Sequence, residues 1–226
     1  MDNSTHHLPL TPALTGQFNE QGYVLLQNAM PEMLLAVAYR YLLLMAQNQT
    51  EIVGDEQVPN TFQIYGDPFM ESLLVEIKPV VEQVTHKQLF PTYAYSRVYK
   101  QGDTLSPHQD RLTCEISVTL CIGQDIIDIQ QDQPEYTWPI FMNGTPILCS
   151  PGDMVIYKGC EVEHWREAFE GKQQGQVFLH YVDQDQPYSK YLKFDGRPNL
   201  GLPTSTRDLI KLALAEARSG IKSDGD

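Results

Sequence analysis

The sequence is short of positive charge: 16 Lys and Arg stand against 29 Asp and Glu, a formal net charge of −13 over 226 residues. Such a chain repels the phosphate backbone on which nucleic-acid affinity mostly rests, so DNA and RNA are poor partners for it. Long apolar runs are missing too. The longest, Tyr41-Leu42-Leu43-Leu44-Met45-Ala46, stops at Gln47, far short of the roughly 20 residues that cross a bilayer, and no membrane span or membrane partner is expected. No Gly-rich phosphate loop occurs, which removes nucleotide kinases and dinucleotide-dependent dehydrogenases. There is no CxxC pair either. The four cysteines, Cys114, Cys121, Cys149 and Cys160, lie in apolar, strand-like runs and read as buried free thiols, not as disulfides or a zinc knuckle. Residues Met1 to His7 lack the basic and apolar blocks of a secretory signal, so a cytoplasmic location is expected.

What is present is an ordinary globular balance, 42% hydrophobic and 20% charged, enough for one well-buried domain and too little for two. Residues 1–17 are polar and unpatterned and are expected to form a flexible tail, with a single domain over 18–226. Asn28 and Pro31 signal a helix from about 31 to 47, with Leu34, Leu35, Ala38, Leu42 and Met45 on one face. Asp67-Pro68 repeats the start signal for a second helix to about His86, with Pro79 a kink. Thr204-Ser205-Thr206 opens a third, over about 205–218.

Between them the texture changes to period two. Tyr93, Tyr95, Arg97 and Tyr99 alternate with smaller residues, and short strand-like runs follow near 115–122, 138–142, 154–157 and 176–182. Helices followed by many short strands predict an antiparallel sandwich or barrel with helices packed outside.

Two motifs carry chemistry. In Ser106-Pro107-His108-Gln109-Asp110, His108 and Asp110 are two apart on an extended stretch and project to the same face, where they can chelate one ion. Some fifty residues on, the turn Pro151-Gly152-Asp153 feeds an apolar strand that leads to His164, a third ligand. Two imidazoles and one carboxylate on one face of an ion suit the non-heme Fe(II) oxygenases. Catalytic zinc, which also takes three protein ligands and water, fits the same spacing.

This HxD, PGD-strand-His arrangement in a strand-rich half behind two helices resembles the 2-oxoglutarate and Fe(II)-dependent oxygenases, in particular their prolyl 4-hydroxylase-like branch, over about residues 90–185. The resemblance implies a double-stranded β-helix, a cupin-like jelly roll packed against two N-terminal helices and a C-terminal helix. It implies His108, Asp110 and His164 as iron ligands, and as cofactors Fe(II), O2 and 2-oxoglutarate as co-substrate. It also implies that Tyr99, nine residues before His108 in Tyr99-Lys100-Gln101-Gly102, contacts that co-substrate. Ser117, Thr119 and Cys121 would face the pocket, with Ser117 and Cys121 standing where the family often has Thr and Tyr. The reaction implied is a dioxygenase hydroxylation of an unactivated C–H bond on a small molecule, an amino acid or a peptidyl side chain, with release of succinate and CO2. Asp110 argues against halogenation, which needs the carboxylate position empty.

One departure stands out. Where the family has an Arg or Lys for the distal carboxylate of 2-oxoglutarate, nine or ten residues after the last histidine, this chain has Gln173 and Gln174. A buried carboxylate needs a cation; Arg166 ranks first because it shares a strand face with His164, Lys172 second and Arg97 third. His180, where the family commonly has Trp, borders the pocket without ligating. The alternatives are a cupin-like metal enzyme that does not use 2-oxoglutarate and a non-catalytic jelly-roll binding module. Residues 48–66, 123–137 and 183–200 are the expected lids, and oligomeric state is not readable from the sequence.

Overall fold

The computed structural model describes residues 12–49, 54–133 and 136–202. Ten strands form two sheets, all of whose pairings are antiparallel. In chain order they are β1 (Tyr23–Leu26), β2 (Phe62–Tyr65), β3 (Leu89–Lys100), β4 (Leu105–His108) and β5 (Ile116–Asp125). Then follow β6 (Pro139–Met142), β7 (Thr145–Leu148), β8 (Met154–Lys158), β9 (His164–Arg166) and β10 (Gln173–Asp183). One sheet has the order β1-β8-β5-β10-β3-β2 and the other β4-β9-β6-β7. From β3 onward the chain crosses between the sheets repeatedly, which makes the pair of sheets a jelly roll.

Helices α1 (Pro12–Gln21), α2 (Glu32–Gln47) and α3 (Pro68–Thr85) precede the roll. The apolar faces of α2 and α3 pack on the six-stranded sheet: Ala38, Leu42, Leu74 and Val81 join Val118, Leu120, Val177 and Leu179 in one core. Covered by helices on one face and the second sheet on the other, β5 is buried along its first eight residues, with Ile116, Val118, Leu120 and Ile122 in the helix-side core alternating with the small Ser117, Thr119, Cys121 and Gly123. The signals at Asp67-Pro68 act as expected: Asp67 accepts a hydrogen bond from the Met70 amide at 3.0 Å and Pro68 opens α3. His86, in the left-handed conformation, closes it.

Some expectations are corrected. Residues 12–17, assigned to the tail, form the first turns of α1, where Pro12 stands at the helix start and Phe18 is buried in the core. Asn28 caps nothing; it takes a left-handed φ of 51° and its amide donates to Asp153 Oδ1 at 2.9 Å, tying the entry of α2 to the Pro151-Gly152-Asp153 turn. The tail proper and the helix expected over 205–218 fall outside the described residues. All four cysteines are free thiols, three of them buried. No helix among the described residues is long and apolar enough to cross a membrane.

The segment after β10 is held back across the roll by Arg197, whose guanidinium pairs with Glu71 on α3 and donates to the carbonyls of Thr92 and Leu202. Both partners are almost completely buried, at 1% and 2% side-chain exposure. Breaking such a pair from one side leaves an unpaired buried charge, so Arg197→Leu is expected to cost about 3–5 kcal/mol of folding stability. Denaturant unfolding of the variant measures this, and Glu71→Leu/Arg197→Leu together should recover most of the loss.

Candidate active site

β4 and β9 pair antiparallel with His108 directly opposite His164, which sets the two imidazoles side by side with ring centroids 4.2 Å apart. β4 ends at His108, so Asp110 is not on the strand as the HxD spacing implies. It is held just beyond it, its amide donating to the Gly159 carbonyl at 2.8 Å. The result is the same convergence. The Nε2 atoms of His108 and His164 each lie 3.7 Å from Asp110 Oδ1, and all three potential ligand atoms fall within 4.8 Å of one another.

The tautomers suit a metal. His108 Nδ1 is 2.8 Å from the Ser106 carbonyl and His164 Nδ1 is 3.0 Å from the Val162 carbonyl. A carbonyl only accepts, so each Nδ1 carries a proton, and Nε2 is the ring atom each histidine turns toward Asp110. Burial, and after it the neighbouring His108, pushes the His164 pKa down to about 4, which keeps that imidazole neutral near neutral pH. Ligating nitrogens and oxygens sit about 2.1 Å from a divalent ion, so the set needs to contract only slightly around one. The Tyr157 hydroxyl, 3.5 Å from His164 Nε2, closes the buried side.

The three residues open into a cavity of about 380 Å³. One face of β3 supplies Tyr93, Tyr95, Arg97 and Tyr99, the alternation visible in the sequence, and β10 supplies Phe178 and His180. Asp55 and Gln57 enter from the first expected lid, whereas among the described residues neither 123–137 nor 183–200 contributes a lining residue. Sequence reasoning named neither Asp55 nor Gln57 in that lid; Asp55 has no motif around it, only a position in a polar loop.

The candidate cations separate clearly. Lys172 is not brought to the site: its side chain is 74% exposed and pairs with Asp125 at 3.4 Å. It lies just before β10, which begins at Gln173, so no strand pairing turns it toward the pocket, even though Lys172 and Gln174 are two apart in sequence and would share a face if the strand reached back to it. Arg97 lines the cavity but already has a counter-ion, since its guanidinium pairs with Asp55, which also accepts from the Tyr95 hydroxyl at 2.7 Å. Arg166 is 1% exposed, stacks over the Trp138 ring at 4.5 Å and makes one hydrogen bond, to the Trp138 carbonyl at 3.2 Å. Its Nε and Nη2 have no partner, and no carboxylate pairs with it among the described residues. The buried Tyr99 hydroxyl beside it is unpartnered as well; burial raises its pKa, opposed by the charges of Arg97 and Arg166. Gln174, directly across the ladder from Tyr99, is fully buried and spends its amide on Gln176 at 3.0 Å.

No protein-family model matches the sequence, and no curated protein does. Solved structures do match. A Pseudomonas putida prolyl-4-hydroxylase superposes over 76% of this chain and 98% of its own with a TM-score of 0.58 and 14% identity. SnoN, a non-heme α-ketoglutarate-dependent epimerase from nogalamycin biosynthesis, covers 84% of this chain and 93% of its own at a TM-score of 0.63 and 10% identity. HygX from Streptomyces hygroscopicus, solved with nickel and 2-oxoglutarate bound, covers 78% and 88% at 0.58 and 10%. The chain therefore has the jelly-roll fold of the 2-oxoglutarate and Fe(II)-dependent oxygenases, prolyl hydroxylases among them. Identities this low speak for fold alone, and chemistry has to be argued from the site.

Proposed function

We propose that this protein is an Fe(II)- and 2-oxoglutarate-dependent dioxygenase, with His108, Asp110 and His164 as iron ligands and Arg166 and Tyr99 as the seat of the distal carboxylate. The observation that carries the reading is the unpaired Arg166 guanidinium, two residues along β9 from His164 and about 6.6 Å away by strand rise. A buried cation without an anion is costly, and a dicarboxylate co-substrate with its 2-oxo end on the metal brings the missing charge to that place. Arg166 takes over a task the usual strand position, here Gln173 and Gln174, cannot perform.

Bound iron and 2-oxoglutarate together would supply the oxidising power to hydroxylate an unactivated C–H bond, with release of succinate and CO2. The chain's own part is placement. Asp110, His108 and His164 would hold the ion through three converging ligand atoms. Arg166 and the Tyr99 hydroxyl would orient the co-substrate. Tyr93, Tyr95, Phe178 and the Asp55 loop enclose the space in which the substrate carbon must lie, a small molecule or a peptidyl side chain by the size of the cavity.

Anaerobic titration with Fe(II), with and without 2-oxoglutarate, tests this. A weak visible charge-transfer absorption that needs both components is expected. Bound Fe(II) without that band would favour the cupin-like metal enzyme, for which the two glutamines are the supporting observation, and absence of metal binding would leave a jelly-roll binding module.

A further inference from the structure

Asp110 presents Oδ1 to both imidazoles, and its other oxygen is held from behind. Ser117 Oγ lies 2.9 Å from Asp110 Oδ2, 3.1 Å from the Cys114 carbonyl and 2.9 Å from His180 Nδ1. Ser117 and His180 are direct cross-strand partners of β5 and β10, and both are buried. The protons can be counted. Ser117 has one hydrogen, and two of its three neighbours, a carboxylate and a carbonyl, only accept. An N–H of His180 donating to Ser117 Oγ is the arrangement that satisfies this contact and leaves the Ser117 hydrogen for Asp110. Burial pushes the His180 pKa down to about 4, so this donor belongs to the neutral Nδ1–H tautomer.

The packing admits no slack. A Cβ on Gly159 would stand 2.1 Å from the Cys114 carbonyl oxygen, 2.6 Å from Asp110 Oδ2 and 2.8 Å from Ser117 Oγ. Only glycine lets the backbone approach so closely. The His180 ring is fixed in turn against Tyr93, with centroids 4.5 Å apart.

We infer that Ser117 and His180 are positioning residues for the metal-binding carboxylate: the chain from His180 Nδ1–H through Ser117 Oγ–H to Asp110 Oδ2 holds Asp110 to a single-oxygen mode of ligation. This rests on the assignment of Asp110 as a metal ligand. A carboxylate with both oxygens free can turn both toward an ion and close one of the positions the reaction needs open.

Co(II) titration of the metal-free protein, followed by its visible spectrum, reads affinity and coordination number without turnover. Ser117→Ala is expected to weaken Co(II) binding about 10- to 100-fold and to alter the band intensity, as loss of a ligand's supporting hydrogen bond does. Ser117→Thr, which keeps the hydroxyl, should stay near wild type. His180→Asn retains an N–H near the Nδ1 position and should bind Co(II) far better than His180→Leu. Wild-type affinity and spectrum in Ser117→Ala, or equal weakening in His180→Asn and His180→Leu, would overturn the inference. Failure of the wild-type protein to bind Co(II) would instead overturn the metal-site reading beneath it.

Discussion

His164→Ala is expected to weaken Fe(II) binding by more than about 100-fold, beyond what loss of a merely supporting contact costs. The substitution removes one of the three converging ligand atoms and leaves water to take its place. His108→Ala should behave alike, because the two histidines are opposed on paired strands and contribute equivalent nitrogens. Equilibrium dialysis with metal analysis measures the loss. The fold should survive: β9 is tied to β4 and β6 through backbone pairing, and neither imidazole belongs to the main apolar core built from α2, α3 and the six-stranded sheet. The circular dichroism of both variants should therefore match wild type. Metal content unchanged in both would sink the assignment of the centre, however well the fold superposes on metal-dependent enzymes.

Which parts of this were readable from sequence follows from how local each signal is. The alternation of Tyr93, Tyr95, Arg97 and Tyr99 is written in neighbouring residues and correctly announces a strand, whose one face then lines the cavity with all four. The start of α3 at Asp67-Pro68 is equally local. His108 and His164 are far apart in sequence, and it took the HxD and PGD-strand-His motifs, with the family resemblance behind them, to bring the two together; composition and period could not. β1, β2, β4, β7 and β9 are three or four residues long, too short to display a period. The tail boundary failed because α1 is weakly patterned, with Phe18 its one buried residue. Lys172 failed for a geometric reason: parity along a strand has meaning only where the strand exists, and β10 starts one residue later. The Asp55 to Arg97 pair spans 42 residues and joins a polar loop to a strand, a contact no spacing rule announces. That pair is also what sorts the cations, since it leaves Arg166 as the buried guanidinium lacking a counter-ion.

Arg166→Met makes the strongest demand on the proposed co-substrate site, because two measurements should move in opposite directions. In metal-bound protein the 2-oxoglutarate concentration needed for half-saturation should rise at least about 30-fold, the equivalent of about 2 kcal/mol, the low end for removing one partner of a buried, hydrogen-bonded charge pair. Fe(II) affinity should not change, since Arg166 touches none of the three ligands. In the protein without co-substrate the same change should leave stability equal or raise it. The guanidinium there is buried with two nitrogens unpartnered, and an apolar side chain of similar length relieves that cost while keeping contact with Trp138. A cation that served only to brace the fold would show the reverse, a lower melting temperature and unaltered 2-oxoglutarate binding. Arg97→Gln is the internal control: Arg97 already pairs with Asp55, so its removal should disturb the Asp55 loop and stability more than co-substrate affinity. If Arg97→Gln raises the 2-oxoglutarate requirement and Arg166→Met does not, the distal carboxylate sits on β3, and Asp55 must be displaced to admit it.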